Sequence, residues 1–439
     1  MKLVNIHSQA LFLLLFVLGI STSQAQEVWS LDKCIETAQA KNKTLLIGKN
    51  NILIGQQKHK EVVANLIPKI KLDADYKYFT NLPYQLMPMA LFGGPADKYK
   101  AVQFGVPHNI NANLSLSMPL YSPDIYGAIK TTKIAKEVSE LQYQKSEEKL
   151  FFEISNIYYN AQIIKSQEAF IVNNLKNVNK LLVNMKLLKE QKMITGTDVS
   201  KVQLQADQLK SKKLTLQNKY SQVMEALKFV MGTSSDLEFE IESSIDYKDA
   251  EEYSTSSSID SRLASTQNLL LKSQLKTLRN TQFLPTVALF GSFGYTGYGF
   301  DEEPNEFLDF YEKGLLGLKL NYTLFNGTVT MRKIKQKKIE INNNELQQSL
   351  VEDKTSMEIA NAKSQREVTQ NTIETTSLQI NLAQSIYDQT VLQHKHGEAS
   401  LTEIILAENA LNEAQQNYLS AVVEYLKADL ELKKLTGNI

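Results

Sequence analysis

One stretch constrains this chain more than any other: Ile110 to Lys130, INANLSLSMPLYSPDIYGAIK. Ile110, Ala112, Leu114, Leu116, Met118 and Leu120 fall on one face of a strand, and Asn111, Asn113, Ser115 and Ser117 on the other. Alternation over about ten residues suits a strand with lipid on one side and water on the other. Pro119 and Pro123 break the pattern, and from Gly127 a helical sequence runs without a breaker until Gly196. A helix of roughly 65 residues would be about 100 Å long at 1.5 Å per residue. The same join recurs at Leu316 to Lys333, LGLKLNYTLFNGTVTMRK. There Leu316, Leu318, Leu320, Tyr322 and Leu324 oppose Lys319, Asn321 and Thr323.

Few other ways of meeting a membrane are open to the chain. An apolar run from Ala10 to Ile20 follows Lys2 and precedes Ser23-Gln24-Ala25, the pattern of a secretory signal over residues 1–25. That run is too short to span a bilayer, and no other run of 18 apolar residues occurs. A membrane-spanning part would therefore have to be a barrel. The formal net charge is zero, so nothing in it points to nucleic acid or an acidic partner. Cys34 is the single cysteine, so no internal disulfide forms, and it reads as a small apolar residue on a helix.

The chain is a duplication. Residues 26–232 and 259–439 read as two copies of one helix-strand-strand-helix-helix plan, separated by a linker at 233–258. Leu66-Ile67-Pro68 matches Phe283-Leu284-Pro285, and Met118–Ser122 matches Tyr322–Asn326. Thr197-Asp198-Val199 matches Thr402-Glu403-Ile404, and Gly232 matches Gly437, both at a spacing of 205 residues. In the first copy Ser30 can cap a helix from Leu31 to Ala64, strands are expected at about 69–79 and 109–121, and long helices at about 127–195 and 198–231. In the second copy Ser258 or Asp260 can cap a helix ending near Gln282; strands follow at about 286–296 and 314–325, and long helices at about 328–395 and 400–435. The strands alternate. Ile70, Leu72, Ala74, Tyr76 and Tyr78 oppose Lys71, Asp73, Asp75 and Lys77, and Val287, Leu289, Gly291, Phe293 and Tyr295 form the matching apolar row. A half-buried strand of a soluble sheet shows the same alternation. Thr80–His108 and the acidic Thr296–Lys313, with Asp301-Glu302-Glu303, read as loops, and Leu237–Ile241 as a short strand in the linker.

Apolar rows at 3–4 spacing run along the long helices. Leu150, Ile154, Ile157, Ala161 and Ile164 continue into Ile171, Leu175, Val178, Leu182 and Met185. After Gly196 come Val199, Val202, Ala206 and Leu209, then Leu216, Tyr220, Val223, Leu227 and Val230. The last helix has Ile404, Leu411, Ala414, Tyr418, Ala421 and Tyr425. A seven-residue repeat implies left-handed helix packing. The helix near 328–395 is more polar and needs neighbours on one side and water on the other, as in the wall of a wet bore; an isolated coiled coil is the plainer alternative.

Four strands cannot close a membrane barrel, whose smallest examples have about eight. An open sheet would leave its edges unpaired in lipid, so the barrel has to be shared between chains. Two chains fill their interior with side chains, whereas three leave a bore. The duplication, the strand–helix join and the opening Leu31-Asp32-Lys33-Cys34-Ile35-Glu36-Thr37-Ala38 with Asn42 resemble the TolC family of outer-membrane efflux proteins. The resemblance covers nearly the whole mature chain. It implies a mainly α fold with transmembrane β: a homotrimeric 12-stranded β-barrel in outer-membrane lipid that continues into a long α-helical barrel in the periplasm. It also implies a periplasmic adaptor and an inner-membrane pump of RND or ABC type as partners. The expected lipid-facing residues are Ile70, Leu72, Leu114, Leu116, Leu289, Leu318 and Leu320.

No Gly-x-Ser-x-Gly, phosphate-cradling glycine loop or His-Glu-x-x-His is present, so the chain is not read as an enzyme and no cofactor or metal is expected. The helix tips carry the remaining candidates. Gly196 and Gly397 supply the reversals, and Thr197 or Thr402 can cap the next helix with an acid beside it. By resemblance, Asp198 and Glu403 would ring the periplasmic entrance. Met193, Ile194, Gly196, Thr197, Gly397, Ser400, Leu401 and Thr402 would dock the adaptor. The family often has a further acid where this chain has Leu406, and usually a glycine about six residues before its Thr-Asp, as Gly397 stands before Glu403, whereas Gly196 is only two before Asp198. His394 and His396 read as solvated residues near a helix end, and His59 and His108 as solitary. The expected role is a passive gated exit duct for small molecules. Type I protein secretion, metal-ion efflux and an envelope-spanning scaffold remain open alternatives.

Overall fold

The computed structural model describes residues 27–243, 245, 252–254, 257–300 and 309–438. The expected signal segment, Asp301-Glu302-Glu303 and much of the linker lie outside those residues. In chain order the elements are β1 (Val28–Trp29), α1 (Leu31–Lys41), α2 (Lys43–Ala64), β2 (Lys69–Tyr78), β3 (Tyr84–Pro88), β4 (Tyr99–Gln103), β5 (His108–Tyr121), α3 (Pro123–Glu190) and α4 (Gly196–Met231). Then come β6 (Glu240–Ile241), α5 (Ile259–Phe283), β7 (Thr286–Gly299), β8 (Asp309–Asn321), α6 (Val329–His396) and α7 (Leu401–Thr436). Two helices, β2, β5 and two long helices in the first part of the chain are followed by α5, β7, β8 and two long helices in the second. Among the described residues no helix is long and apolar enough to cross a membrane.

The chain divides into two units. One holds residues 50–141 and 262–350, the other 142–261 and 351–439 with the N-terminal 49 residues. In the first unit β2, β5, β7 and β8 form one antiparallel sheet in that order, so the two copies are joined through β5 and β7. Residues directly opposite share a face. One row is Leu72, Leu114 and Phe293; another is Met118, Leu289 and Leu318; Ile70 lies opposite Leu116 and Val287 opposite Leu320. All seven expected lipid-facing residues therefore share one face. The other face is polar. Asp73, Asn113, Gly294 and Lys313 lie in one row, and Asp75, Asn111, Thr296 and Tyr311 in the next. Ser292 donates to Asn113 Oδ1 at 2.6 Å and Thr296 to Asn111 Oδ1 at 3.0 Å.

Pro119 does not end β5. It pairs with Ala288 while Tyr121 pairs with Val287, so Leu120 is left over as a bulge that accommodates the ring. Pro123 is the first residue of α3, not a break, because an N1 residue needs no N–H partner. The helix therefore starts before Gly127, and it stops at Glu190 instead of near 195. Thr80–His108 is not plain loop, since β3 and β4 pair within it as an antiparallel hairpin.

In the second unit the expected Leu31–Ala64 helix is two. Asn42 separates them with extended ψ of 123°, closes α1 through its N–H to the Ala38 carbonyl, and caps α2 by accepting from Leu45 N–H at 3.1 Å. Its Nδ2 donates to the Val230 carbonyl at 2.7 Å. Ser30 caps α1 and Ser258 caps α5, as their sequences suggest. The expected linker strand is confined to Glu240–Ile241, which pairs in parallel with β1. Trp29 stacks on Phe239 at 4.5 Å, and Tyr158 donates to the Trp29 carbonyl at 2.9 Å. This part of the linker is thus core, packed with Cys34, Ala38, Ile154 and Leu227. The apolar rows of α3 and α4 meet through Val178, Leu182, Met185, Val202, Ala206 and Leu209. Those of α6 and α7 meet through Ala383, Tyr387, Ile404, Leu411 and Ala414.

Candidate functional site

Two helix tips, α3–α4 and α6–α7, are built on the same plan. At the second, Gly397 has φ 78°; its N–H bonds the His394 carbonyl, and Glu398 N–H bonds Gln393 at 2.9 Å. This is the paired closure of a helix end by a left-handed residue. At the first tip the left-handed residue is Lys192, φ 61°, with Lys192 N–H on Lys189 and Met193 N–H on Leu188. Lys192 precedes Asp198 by the six residues that separate Gly397 from Glu403. The reversal expected at Gly196 is therefore made by Lys192, and Gly196 is the first residue of α4.

The caps shift accordingly. Thr195 and Ser400, not Thr197 and Thr402, are the N-caps, because each has an acid three residues on that closes a capping box. Asp198 N–H bonds Thr195 Oγ1 at 3.3 Å, and Asp198 Oδ2 accepts from Thr195 N–H at 3.2 Å. Glu403 N–H bonds Ser400 Oγ at 3.3 Å, while its carboxylate accepts from Ser400 N–H. The hydroxyl and N–H of Thr195 hold the Asp198 carboxyl below its usual range, and the Ser400 N–H and hydroxyl do the same for Glu403. Both acids are ionised at neutral pH and held within their own turns.

The docking candidates divide by exposure. Met193, Gly196, Thr197, Gly397, Ser400 and Thr402 are exposed and Ile194 is half-buried. Leu401 is 7% exposed and joins the cluster of Met185, Val202 and Ala206, so it holds the two tips together. Leu406 is exposed. A cleft of about 840 Å³ opens between the ends of α3 and α6, lined by Asn184, Leu187, Gln191, Tyr387, Val391 and His394 among others. His394 Nδ1 donates to the Ala399 carbonyl at 2.7 Å, so this ring is part of the turn and not free in solvent. His59 meets Thr132 Oγ1 at 3.0 Å and His108 meets the Tyr76 hydroxyl at 2.7 Å. The pattern Thr195-x-x-Asp198 and Ser400-x-x-Glu403 was the available signal for both caps.

The sheet supplies the second candidate surface. Its apolar face is open: Ile70, Leu72, Leu316, Leu318 and Leu320 are all exposed. Neither β2 nor β8 has a partner on its outer edge among the described residues. Exposed Ile67, Phe283, Leu324 and Phe325 stand where strands pass into helices, and Tyr121 packs beside Tyr126 at 5.9 Å.

Residues 271–438 match the family model for outer membrane efflux proteins. No curated protein sequence matches the chain. Among solved structures, the chain is similar to the outer membrane protein VceC of Vibrio cholerae, at 17% identity over 93% of this chain and 96% of that one, with a TM-score of 0.73. The CmeC outer membrane channel of Campylobacter jejuni is 13% identical over 93% and 85% of the chains, with a TM-score of 0.73. The MtrE outer membrane channel of Neisseria gonorrhoeae in its open state is 15% identical over 93% and 88%, with a TM-score of 0.71. Residues 271–438 thus resemble an outer membrane efflux protein domain, and the chain has the fold of these outer-membrane channels.

Proposed function

We propose that the protein is the outer-membrane exit duct of a tripartite efflux pump, a passive gated channel through which small molecules cross the periplasm and outer membrane. The observation that carries this reading is the sheet: four strands, one face apolar and exposed, the other polar, with both edges unpaired among the described residues. Unpaired backbone groups in lipid cost several kcal/mol each, so β2 of one chain has to meet β8 of another. Three chains give 12 strands and a water-filled bore lined by Asp73, Asp75, Asn111, Asn113 and Lys313. The aromatic and aliphatic residues at the strand–helix joins fit the girdle that marks a barrel's membrane boundary.

A periplasmic adaptor then docks on the exposed tip residues Met193, Thr197, Gly397 and Thr402, and an inner-membrane pump of RND or ABC type supplies the energy. Asp198 and Glu403, each repeated three times, ring the entrance as fixed negative charge. Purified protein in planar bilayers should form discrete ion-conducting channels; an assembly that stays sealed in wild type and in Glu403→Ala would favour an envelope scaffold. A deletion strain that retains dye identifies small-molecule efflux. Loss of secreted proteins or metal sensitivity instead would move the cargo to type I secretion or metal ions.

A further inference from the structure

A polar row interrupts the apolar seam where α7 packs on the first-copy helices. Gln205 of α4 donates through Nε2 to Glu408 Oε2. Asn174 of α3 donates to Asn412 Oδ1 and, at 3.4 Å, to Gln415 Oε1. Asn174, Gln205, Glu408 and Gln415 are all buried, and Glu408 is only 2% exposed. Its second oxygen, Oε1, has no donor, and neither has Gln205 Oε1. Ala383 and Tyr387 of α6, Leu181 of α3 and Ile404, Ala407 and Leu411 of its own helix form the surrounding cluster. The titratable side chain facing Glu408 is Tyr387, with Asp388 beside that tyrosine; the groups from α4 and α3 are the neutral Gln205 and Leu181. Among the described residues no cation forms an ion pair with it.

A carboxylate so placed, with one amide donor and no counter-charge, is strongly disfavoured, and a proton on Oε1 removes the charge. We propose that Glu408 is a proton-operated latch: protonated, it lets α7 seat on α3 and α4; ionised, it loosens that seat, so rising pH favours parting of the two tips. The consequence for the channel rests on the duct reading, whereas the proton linkage of the packing does not. Burial pushes the Glu408 carboxyl up to about 7, against the lowering effect of the Gln205 hydrogen bond. Once the helices part and water reaches it, the carboxyl returns toward its ordinary value of 4.5. The seated form therefore binds the proton more tightly. Its advantage is complete below pH 4.5, falls as pH rises and is gone above about 7. Across that window the ratio of seated to parted helices drops by up to about 300-fold per protomer.

The test compares wild type, Glu408→Gln and Glu408→Leu between pH 4.5 and 8, by thermal unfolding midpoint and by bilayer conductance. Wild type should lose more midpoint and gain more open time across this range than either variant. Identical pH profiles in wild type and Glu408→Gln overturn the latch. A midpoint that is pH-linked through Glu408, in protein that conducts at no pH, keeps the latch and overturns the duct. Wild type alone provides a check that needs no variant: its infrared difference spectrum should show a buried carboxylic acid titrating near pH 7, and a carboxyl already ionised at pH 5 overturns the proposal.

Discussion

Replacing Asn42 with Ala removes two hydrogen bonds at the joint between α1 and α2. Leu45 N–H loses the Oδ1 cap that it meets at 3.1 Å, and the Val230 carbonyl loses the Nδ2 donor at 2.7 Å. Asn42 is 9% exposed, so water cannot readily take either place. A lost cap costs about 1 kcal/mol and a buried carbonyl left without a donor about 1–3 kcal/mol, together about 2–4 kcal/mol per chain. Asn42→Asp keeps the cap acceptor but turns a charged oxygen toward the Val230 carbonyl, so it should be no better than Ala. Asn51→Ala, at an exposed position of α2, is the control and should change stability by less than about 0.5 kcal/mol. Urea unfolding of purified protein, followed by far-ultraviolet circular dichroism, reads all three. Asn42→Ala as stable as Asn51→Ala would refute the claim that this side chain joins the N-terminal helices to the end of α4.

Leu72→Arg and Leu318→Arg place a charge on the apolar face and should cost about 2–4 kcal/mol near mid-membrane, whereas Ser115→Arg on the polar face should be tolerated. Folding yield into lipid vesicles measures this, and equal yields would undo the assignment of faces. Lys192→Gly should raise stability by about 1 kcal/mol, because φ of 61° strains any residue with a Cβ; an unchanged denaturation midpoint would speak against the left-handed closure. The Cys34 thiol is fully buried and pushed up to about 12, chiefly by burial and secondarily by Glu242. Maleimide at pH 8 should therefore label it only after unfolding.

The sequence is most readable where a local period decides the outcome. Leu114 and Leu116 share a face, as do Leu318 and Leu320, because alternate residues of a strand do, and the rows through Ile154, Val178 and Val202 are buried because helical spacing leaves them on one stripe. Adjacency of β5 and β7 is not readable, since pairing of Leu114 with Phe293 is a long-range contact between the two copies. The capping boxes at Thr195 and Ser400 were readable, but treating Gly196 as the turn glycine moves the cap two residues too far. Nothing local announces that Lys192 takes the left-handed position. Glu408 looks like any surface acid of a polar helix until Gln205, 203 residues earlier, is packed against it.

In the duct we propose, each chain brings one third of a barrel. Native mass spectrometry of the protein released from lipid nanodiscs should find particles of three chains that stay together while β2 and β8 are shielded. A folded, membrane-inserted particle containing a single chain would contradict it.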